Sequence, residues 1–232
     1  MKNFAKECFS DLINLFFPPI CLGCKSPLIS NEKSICVHCE MQLPFTYFHL
    51  DKNNEMIQKL SDALKIDTAT SLCYFEKDSI LESLIYHLKY GGQQKLGEYF
   101  GELIIDLIKS NELFKNIEAV IPVPLNSKRK RKRGYNQVTV FGEKIAAYLG
   151  VPFVEGYLLR TQNTKQLAKT SSKDRSVILK NAFQIKTKNT SPKHWLLVDD
   201  VITTGATLEA CGSLLLENPE NRLSIATIGY RI

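Results

Sequence analysis

An α/β fold built on a mainly parallel sheet is what this sequence predicts, on three observations. Short apolar runs, among them AVIPVPL from Ala119, WLLV from Trp195 and LSIATIGY from Leu223, are typical of strands buried on both faces. Amphipathic helical patterns separate these runs, and such alternation favours parallel strands joined by crossovers. At 232 residues the chain can bury one sizeable core and a small appendage.

In chain order, residues 1–17 place Phe4, Cys8, Leu12 and Phe16 on one helical face. Lys6, Glu7 and Asp11 interrupt any signal-peptide core, which points to the cytoplasm. Next come CLGC and CVHC, two C-x2-C knuckles separated by eleven residues: Cys21, Cys24, Cys36 and Cys39. Such a pair of knuckles builds a closed tetrahedral S4 site, so structural Zn²⁺ is expected. A ribbon this short cannot form its own core, and stripping the metal is expected to unfold the module alone. Gly23 suits the first knuckle's turn, and His38 is expected to face solvent. The module is assigned to residues 1–45 and the main domain to residues 60–232. Residues 43–60 show no persistent period and read as a linker.

The main domain opens with a strand in TATSLCYF, then a helix through SILESLIYHLKY that stops at Gly91 and Gly92. KLGEYFGELIIDLIKS is a clear amphipathic helix, and AVIPVPL a strand broken by Pro122 and Pro124. A basic loop, NSKRKRKRGYNQ from Asn126 to Gln137, precedes the helix VTVFGEKIAAYLG. Strands follow in VPFVEGYLLR and AFQI, then WLLV, a helix in LEACGSLLLEN and a final strand.

The basic loop holds six consecutive cations, Lys128, Arg129, Lys130, Arg131, Lys132 and Arg133. Such a run repels itself unless an anion joins it. The candidates are a diphosphate, a nucleic-acid backbone, or solvent alone.

The richest segment is LLVDDVITTGATL, Leu196 to Leu208. Its apolar strand, ending at Val198, delivers Asp199 and Asp200 to a turn containing Thr203, Thr204, Gly205, Ala206 and Thr207. Amides of that turn and of the following helix can chelate a phosphate, helped by hydroxyls and the helix dipole. Gly205 is expected to allow close backbone approach. Two adjacent carboxylates would suit sugar hydroxyls or a divalent cation. Replacing Asp200 by Asn is expected to cost binding more than stability, by relieving repulsion.

V-D-D-x-x-T-T-G-x-T resembles the phosphoribosyl pyrophosphate (PRPP) signature of the type I phosphoribosyltransferases. The resemblance implies that Asp199 and Asp200, the candidate catalytic pair, hold ribose hydroxyls, with Mg²⁺ bridging these and the pyrophosphate. Residues 203–207 would hold the 5′-phosphate. The order of blocks, F-P-P-x-C-x-x-C, I-P-V-P-L, R-G-Y-N-Q, L-L-R-T and the signature, is similar to that of the ComF family of competence-associated proteins. That resemblance implies a type I phosphoribosyltransferase-like domain behind a small zinc-ribbon-like N-terminal module, acting in DNA uptake and natural transformation. Arg133, Gly134, Asn136 and Gln137 match the family's R-G-[FY]-N-Q block on the pyrophosphate side. The match weakens between Arg160 and Phe183, where Thr164, Gln166, Arg175 and Ile178 depart from the usual spacing.

Composition is ordinary for a globular protein, with 44% hydrophobic and 23% charged residues, which excludes a disordered or fibrous chain. No apolar stretch reaches eighteen residues, so no membrane span is expected. Four thiolates around one Zn²⁺ would remove two of the six net positive charges, leaving the chain basic. Three functions remain open: a transferase releasing pyrophosphate, a ribose-phosphate sensor acting on other competence proteins, and a single-stranded DNA binder using the basic loop and Tyr135.

Overall fold

The computed structural model describes residues 17–161, 182–186 and 193–232. The N-terminal helical pattern and the divergent stretch with Thr164, Gln166, Arg175 and Ile178 lie outside the described residues.

Four parallel strands form the central sheet: β1 (Thr68–Tyr74), β2 (Ala119–Pro122), β5 (His194–Ile202) and β6 (Arg222–Tyr230), in spatial order β1-β6-β5-β2. A separate antiparallel pair joins β3 (Leu158–Arg160) to β4 (Phe183–Ile185). Period-two alternation explains why the apolar runs are continuous. Leu196 and Val198 of β5 enter a core on one face, with Val120, Ala226 and Ile228. Trp195 and Leu197 enter the core on the other, with Ile121, Leu223 and Ile225. A strand buried on both faces is apolar on both, here apart from small buried hydroxyl residues such as Thr70, Ser71, Ser224 and Thr227.

Helices cover both faces. The first core takes residues from α3 (Ile80–Tyr90), α4 (Lys95–Ile108) and α6 (Thr139–Leu149). The second takes Leu208, Cys211 and Leu215 from α7 (Ala206–Leu215). The expected α/β architecture with a parallel sheet flanked by helices is therefore present.

Two expectations are corrected. Residues 43–60 are not a linker: Phe48, Met56 and Leu60 are buried in the second core, and the segment contains α2 (Glu55–Leu60). The Asn54 side chain accepts from the amides of Met56 and Ile57 and donates to the carbonyls of Phe48, Asp51 and Ala69, tying the segment to β1. Elements this short carry no readable period. The cationic run is likewise a helix, α5 (Ser127–Arg133), not a loop. Asn126 caps its start by accepting from the Lys128 amide, and Gly134 ends it at φ 82°. Cations in its last turn face the negative end of the helix dipole, which offsets part of their repulsion.

Within the cysteine module, α1 (Val37–Met41) follows Cys36. Cys21, Ile35, Cys39 and Leu43 belong to the same core as Leu72, Leu81 and Leu84. The chain leaving the module also lines the open edge of β1. The Tyr74 amide donates to the Pro44 carbonyl at 2.8 Å, and the Thr46 amide to the Leu72 carbonyl at 3.1 Å.

Candidate functional site

β5 runs two residues beyond the acid pair, so Asp199 and Asp200 sit within its carboxyl end, where Asp199 pairs with Thr227 of β6. Beyond them the chain turns through exposed Thr203 and Thr204 into α7, and Asp199 with residues 201–208 lines an open recess at the helix N-terminus. Ala206 and Thr207 are half-buried there. Gly205 has φ 85°, and an added Cβ would lie 2.6 Å from Leu60 Cδ2. The missing side chain thus admits Leu60 from inside, a packing role that the turn motif alone does not disclose. Lys59, which no sequence motif singles out, donates to the carbonyls of Thr203 (3.3 Å) and Arg231 (3.0 Å) and lies over the Tyr230 ring. α2 therefore buttresses the turn from behind.

The two acids differ sharply. Asp200 is buried, and its Oδ2 accepts from Lys89 Nζ at 2.9 Å and Gln137 Nε2 at 2.6 Å. Its Oδ1 accepts from the Val201 amide at 2.6 Å. Asp199 is half-buried, faces the recess, and accepts from the Asp200 amide at 2.8 Å through Oδ1. Burial, and then the neighbouring Asp200 charge, push the Asp199 carboxyl up to about 7, opposed by that amide and by Lys89 and Arg160. Removing Asp200 would strand Lys89 and Gln137, so the expected relief of repulsion belongs to Asp199.

The sign follows from linkage. A carboxyl raised to about 7 keeps its proton in the folded chain after the unfolded chain has lost it. Stability therefore declines as pH rises from the ordinary carboxylate range to about 7, then levels off. In thermal melts at pH 5 and pH 8, Asp199→Asn is expected to flatten this decline and to gain most at pH 8. Parallel pH profiles for variant and wild type would refute the assignment.

Every residue of R-G-Y-N-Q has an internal role. Arg133 donates to Gln137 Oε1 at 2.6 Å and to the Tyr90 hydroxyl at 3.2 Å. Gly134 supplies the left-handed turn, and Tyr135 donates its hydroxyl to the Leu88 carbonyl. Asn136 is buried and donates to the Val123 carbonyl at 3.0 Å. Gln137 completes a chain from Tyr90 through Arg133 to Asp200. Pro122 pairs with Val198, so the end of β2 and the start of α5 lie beside the acids.

Lys128, Arg129, Lys130, Arg131 and Lys132 are exposed on α5, with Lys130 3.1 Å from Glu155. Beside the helix, α3 presents Tyr86 and Tyr90, 60% and 56% exposed, with ring centroids 5.2 Å apart. The Arg133 guanidinium stands 4.8 Å from the Tyr90 ring centroid and lowers the pKa of its phenol. Sequence alone does not associate these tyrosines with the cationic run, because they lie more than thirty residues before it.

The four cysteines converge, their Sγ atoms all within 4.8 Å of one another, and none is in a disulfide. Cys24 and Cys36 sulfurs are 3.6 Å apart, close to the tetrahedral edge of about 3.8 Å implied by Zn–S bonds of about 2.3 Å. Amides of Cys24 and Cys36 donate to Cys21 Sγ. The cluster can hold a metal ion such as zinc. At Gly23 an added Cβ would meet Cys39 Sγ at 2.9 Å, so this glycine makes room for a ligand sulfur. His38 is exposed and contacts Gln42, as expected. Among the described residues no helix is long and apolar enough to cross a membrane.

No family model matches the chain. Among solved structures, adenine phosphoribosyltransferase from Saccharomyces cerevisiae is 21% identical, with 75% of this chain and 86% of that chain covered at a TM-score of 0.35. The Leishmania tarentolae adenine phosphoribosyltransferase is 12% identical, with 78% and 89% covered at 0.38. Curated relatives match nearly end to end. DNA utilization protein YhgH of Escherichia coli strain K12 is 25% identical, covering 88% of this chain and 93% of that protein. Competence protein ComFC of Bacillus subtilis is 26% identical, covering 85% and 78%. Competence protein F of Haemophilus influenzae is 30% identical, covering 86% of this chain and 92% of that protein, and at that likeness the chain belongs to the ComF family.

Proposed function

We propose that this protein binds a 5-phosphoribosyl ligand, PRPP or a relative, in the recess behind Asp199, and works in the handling of DNA taken up during natural transformation. One observation carries the first part: a half-buried acid and a threonine-rich turn line one recess at the N-terminus of a ten-residue helix. The amides and hydroxyls there suit a phosphate, while Asp199, partly protonated near neutrality, suits a sugar hydroxyl. The names of its relatives, competence proteins and a DNA utilization protein, support the second part. Zinc in the cysteine cluster would be structural. Magnesium would enter with the diphosphate, because both Asp200 oxygens are already engaged. If the protein also transfers the phosphoribosyl group, cations of α5 would stabilise the departing pyrophosphate.

Calorimetric titration with ribose 5-phosphate and with PRPP tests the binding. Both are expected to bind, and Thr204→Val with Thr207→Val together should weaken both by about tenfold, or 1.4 kcal/mol. No heat from either ligand at millimolar concentration would end this reading. Release of pyrophosphate with added bases separates a transferase from a sensor.

A second reading has its own support: exposed Tyr86 and Tyr90 beside the cations of α5 form a stacking platform next to a backbone-binding strip. Single-stranded DNA fits that combination. Tyr86→Ala is expected to weaken oligothymidine binding by about 1–3 kcal/mol. Lys128→Ser with Arg131→Ser should make the slope of log affinity against log salt shallower by about 0.7 for each phosphate no longer neutralised. A slope and affinity unmoved by all three changes would remove this surface.

A further inference from the structure

The acid pair already contains a cation. Lys89 lies in the last turn of the amphipathic helix α3, more than a hundred residues from the acids in sequence, yet its Nζ reaches Asp200 Oδ2 at 2.9 Å with its side chain 23% exposed. Its position is fixed on both sides: Tyr135 donates to the Leu88 carbonyl, and Tyr90 is held by Arg133. Gln137 and the Val201 amide fill the other approaches to Asp200, and the Asp200 amide takes Asp199 Oδ1. Among the hydrogen bonds of the described residues, none reaches Asp199 Oδ2. A divalent ion that needs near-octahedral oxygen ligation would find one carboxylate oxygen and would first have to displace the ammonium.

We infer that Lys89 is the resident cation at Asp200, taking the place that a divalent metal would otherwise hold against that carboxylate. This deepens the reading of the recess as a phosphoribosyl site, and rests on it only for the consequence: a ligand entering there meets Asp199 beside an Asp200 already ion-paired within the protein. Electrostatics agree, since an ion pair already held by the protein needs no reorganisation when an anion arrives. Lys89 is a positioning residue here, acting on ligand through Asp200.

Binding of Mn²⁺ alone to the full chain, followed by electron paramagnetic resonance, tests the inference without any sugar phosphate. Wild type is expected to hold no Mn²⁺ that Asp200→Asn can remove. Lys89→Met keeps the aliphatic stem and loses the charge. It should bind Mn²⁺ at least about tenfold more tightly, a gain of 1.4 kcal/mol, and adding Asp200→Asn should abolish the gain. Lys89→Arg, which keeps the charge, should behave as wild type. Mn²⁺ bound equally by wild type and Lys89→Met, or by neither, overturns the inference. Should Lys89→Met fail to fold, an Asp200-dependent Mn²⁺ site in wild type or Lys89→Arg overturns it as well, and its absence from both supports it. A failed ribose 5-phosphate titration would instead count against the proposed function and leave these outcomes readable.

Discussion

Replacing Cys39 by Ser is expected to lower the melting temperature of the entire chain, not of the cysteine module alone. The sulfur is buried, and it shares a core with Cys21, Ile35 and Leu43 from the module and with Leu72, Leu81 and Leu84 from the sheet and α3. The backbone after the module lies along β1, at an edge of the sheet. Loss of a structural zinc forfeits a binding free energy of about 10–16 kcal/mol in isolated zinc peptides, comparable with the about 5–15 kcal/mol that holds a whole domain folded. Even if only about 5 kcal/mol reaches the main core, the midpoint should fall by about 10–20 °C at this chain length. Two measurements check it: metal content together with calorimetry, and amide exchange along Thr68–Tyr74, which should quicken together with exchange in the module. If Cys39→Ser loses its metal while the main transition and β1 protection stay put, the module is an independent appendage.

That outcome bears on what sequence can convey. Each C-x2-C knuckle is local, so the cluster is readable; the surface that Ile35 and Leu43 present to α3 and β1 is not, because no period or motif encodes the packing of distant segments. The same boundary runs through the functional site. Asp199, Asp200 and the Thr-rich turn form one contiguous motif, and the strand that carries them is a plain apolar run. Lys89 and Lys59 sit in the last turns of their helices, where a lysine ordinarily marks the favourable dipole end. Only the fold brings them to Asp200 and to the Thr203 carbonyl. The cationic run reads as a loop for a different reason: helix propensity of Lys and Arg is good, but six like charges argue against a helix until Asn126 and Gly134 are recognised as its caps. Residues 43–60 read as a linker because a three-residue turn and a six-residue helix are shorter than the window in which periodicity shows. Asn54, a capping residue followed by Met56, Ile57 and Leu60, is the signal that marks them as structured.

Gly205→Ala is expected to destabilise the protein by about 2–5 kcal/mol, combining about 1–2 kcal/mol for a left-handed non-glycine residue with about 1–3 kcal/mol for overpacking. Gly134→Ala provides the control. Both glycines have nearly the same φ, 85° and 82°, but a Cβ at Gly134 has nothing within 4 Å, whereas at Gly205 it lies 2.6 Å from Leu60 Cδ2. Chemical denaturation should therefore show Gly134→Ala losing only the conformational part. The difference between the two isolates the packing against α2. Leu60→Ala alone should cost about 2–5 kcal/mol as a core truncation, yet less in the Gly205→Ala background, because it removes the collision. Such coupling between touching residues is typically about 0.5–3 kcal/mol. Because Lys59 and Leu60 support the turn from one short helix, relief of the clash would also shift residues 203–207 relative to Asp199. Ribose 5-phosphate affinity should then drop by about tenfold or more in Gly205→Ala and stay near wild type in Gly134→Ala, since about 1.4 kcal/mol of weakened binding suffices for a tenfold change. Equal destabilisation by the two substitutions, with no coupling to Leu60, would mean that the turn stands without α2 behind it.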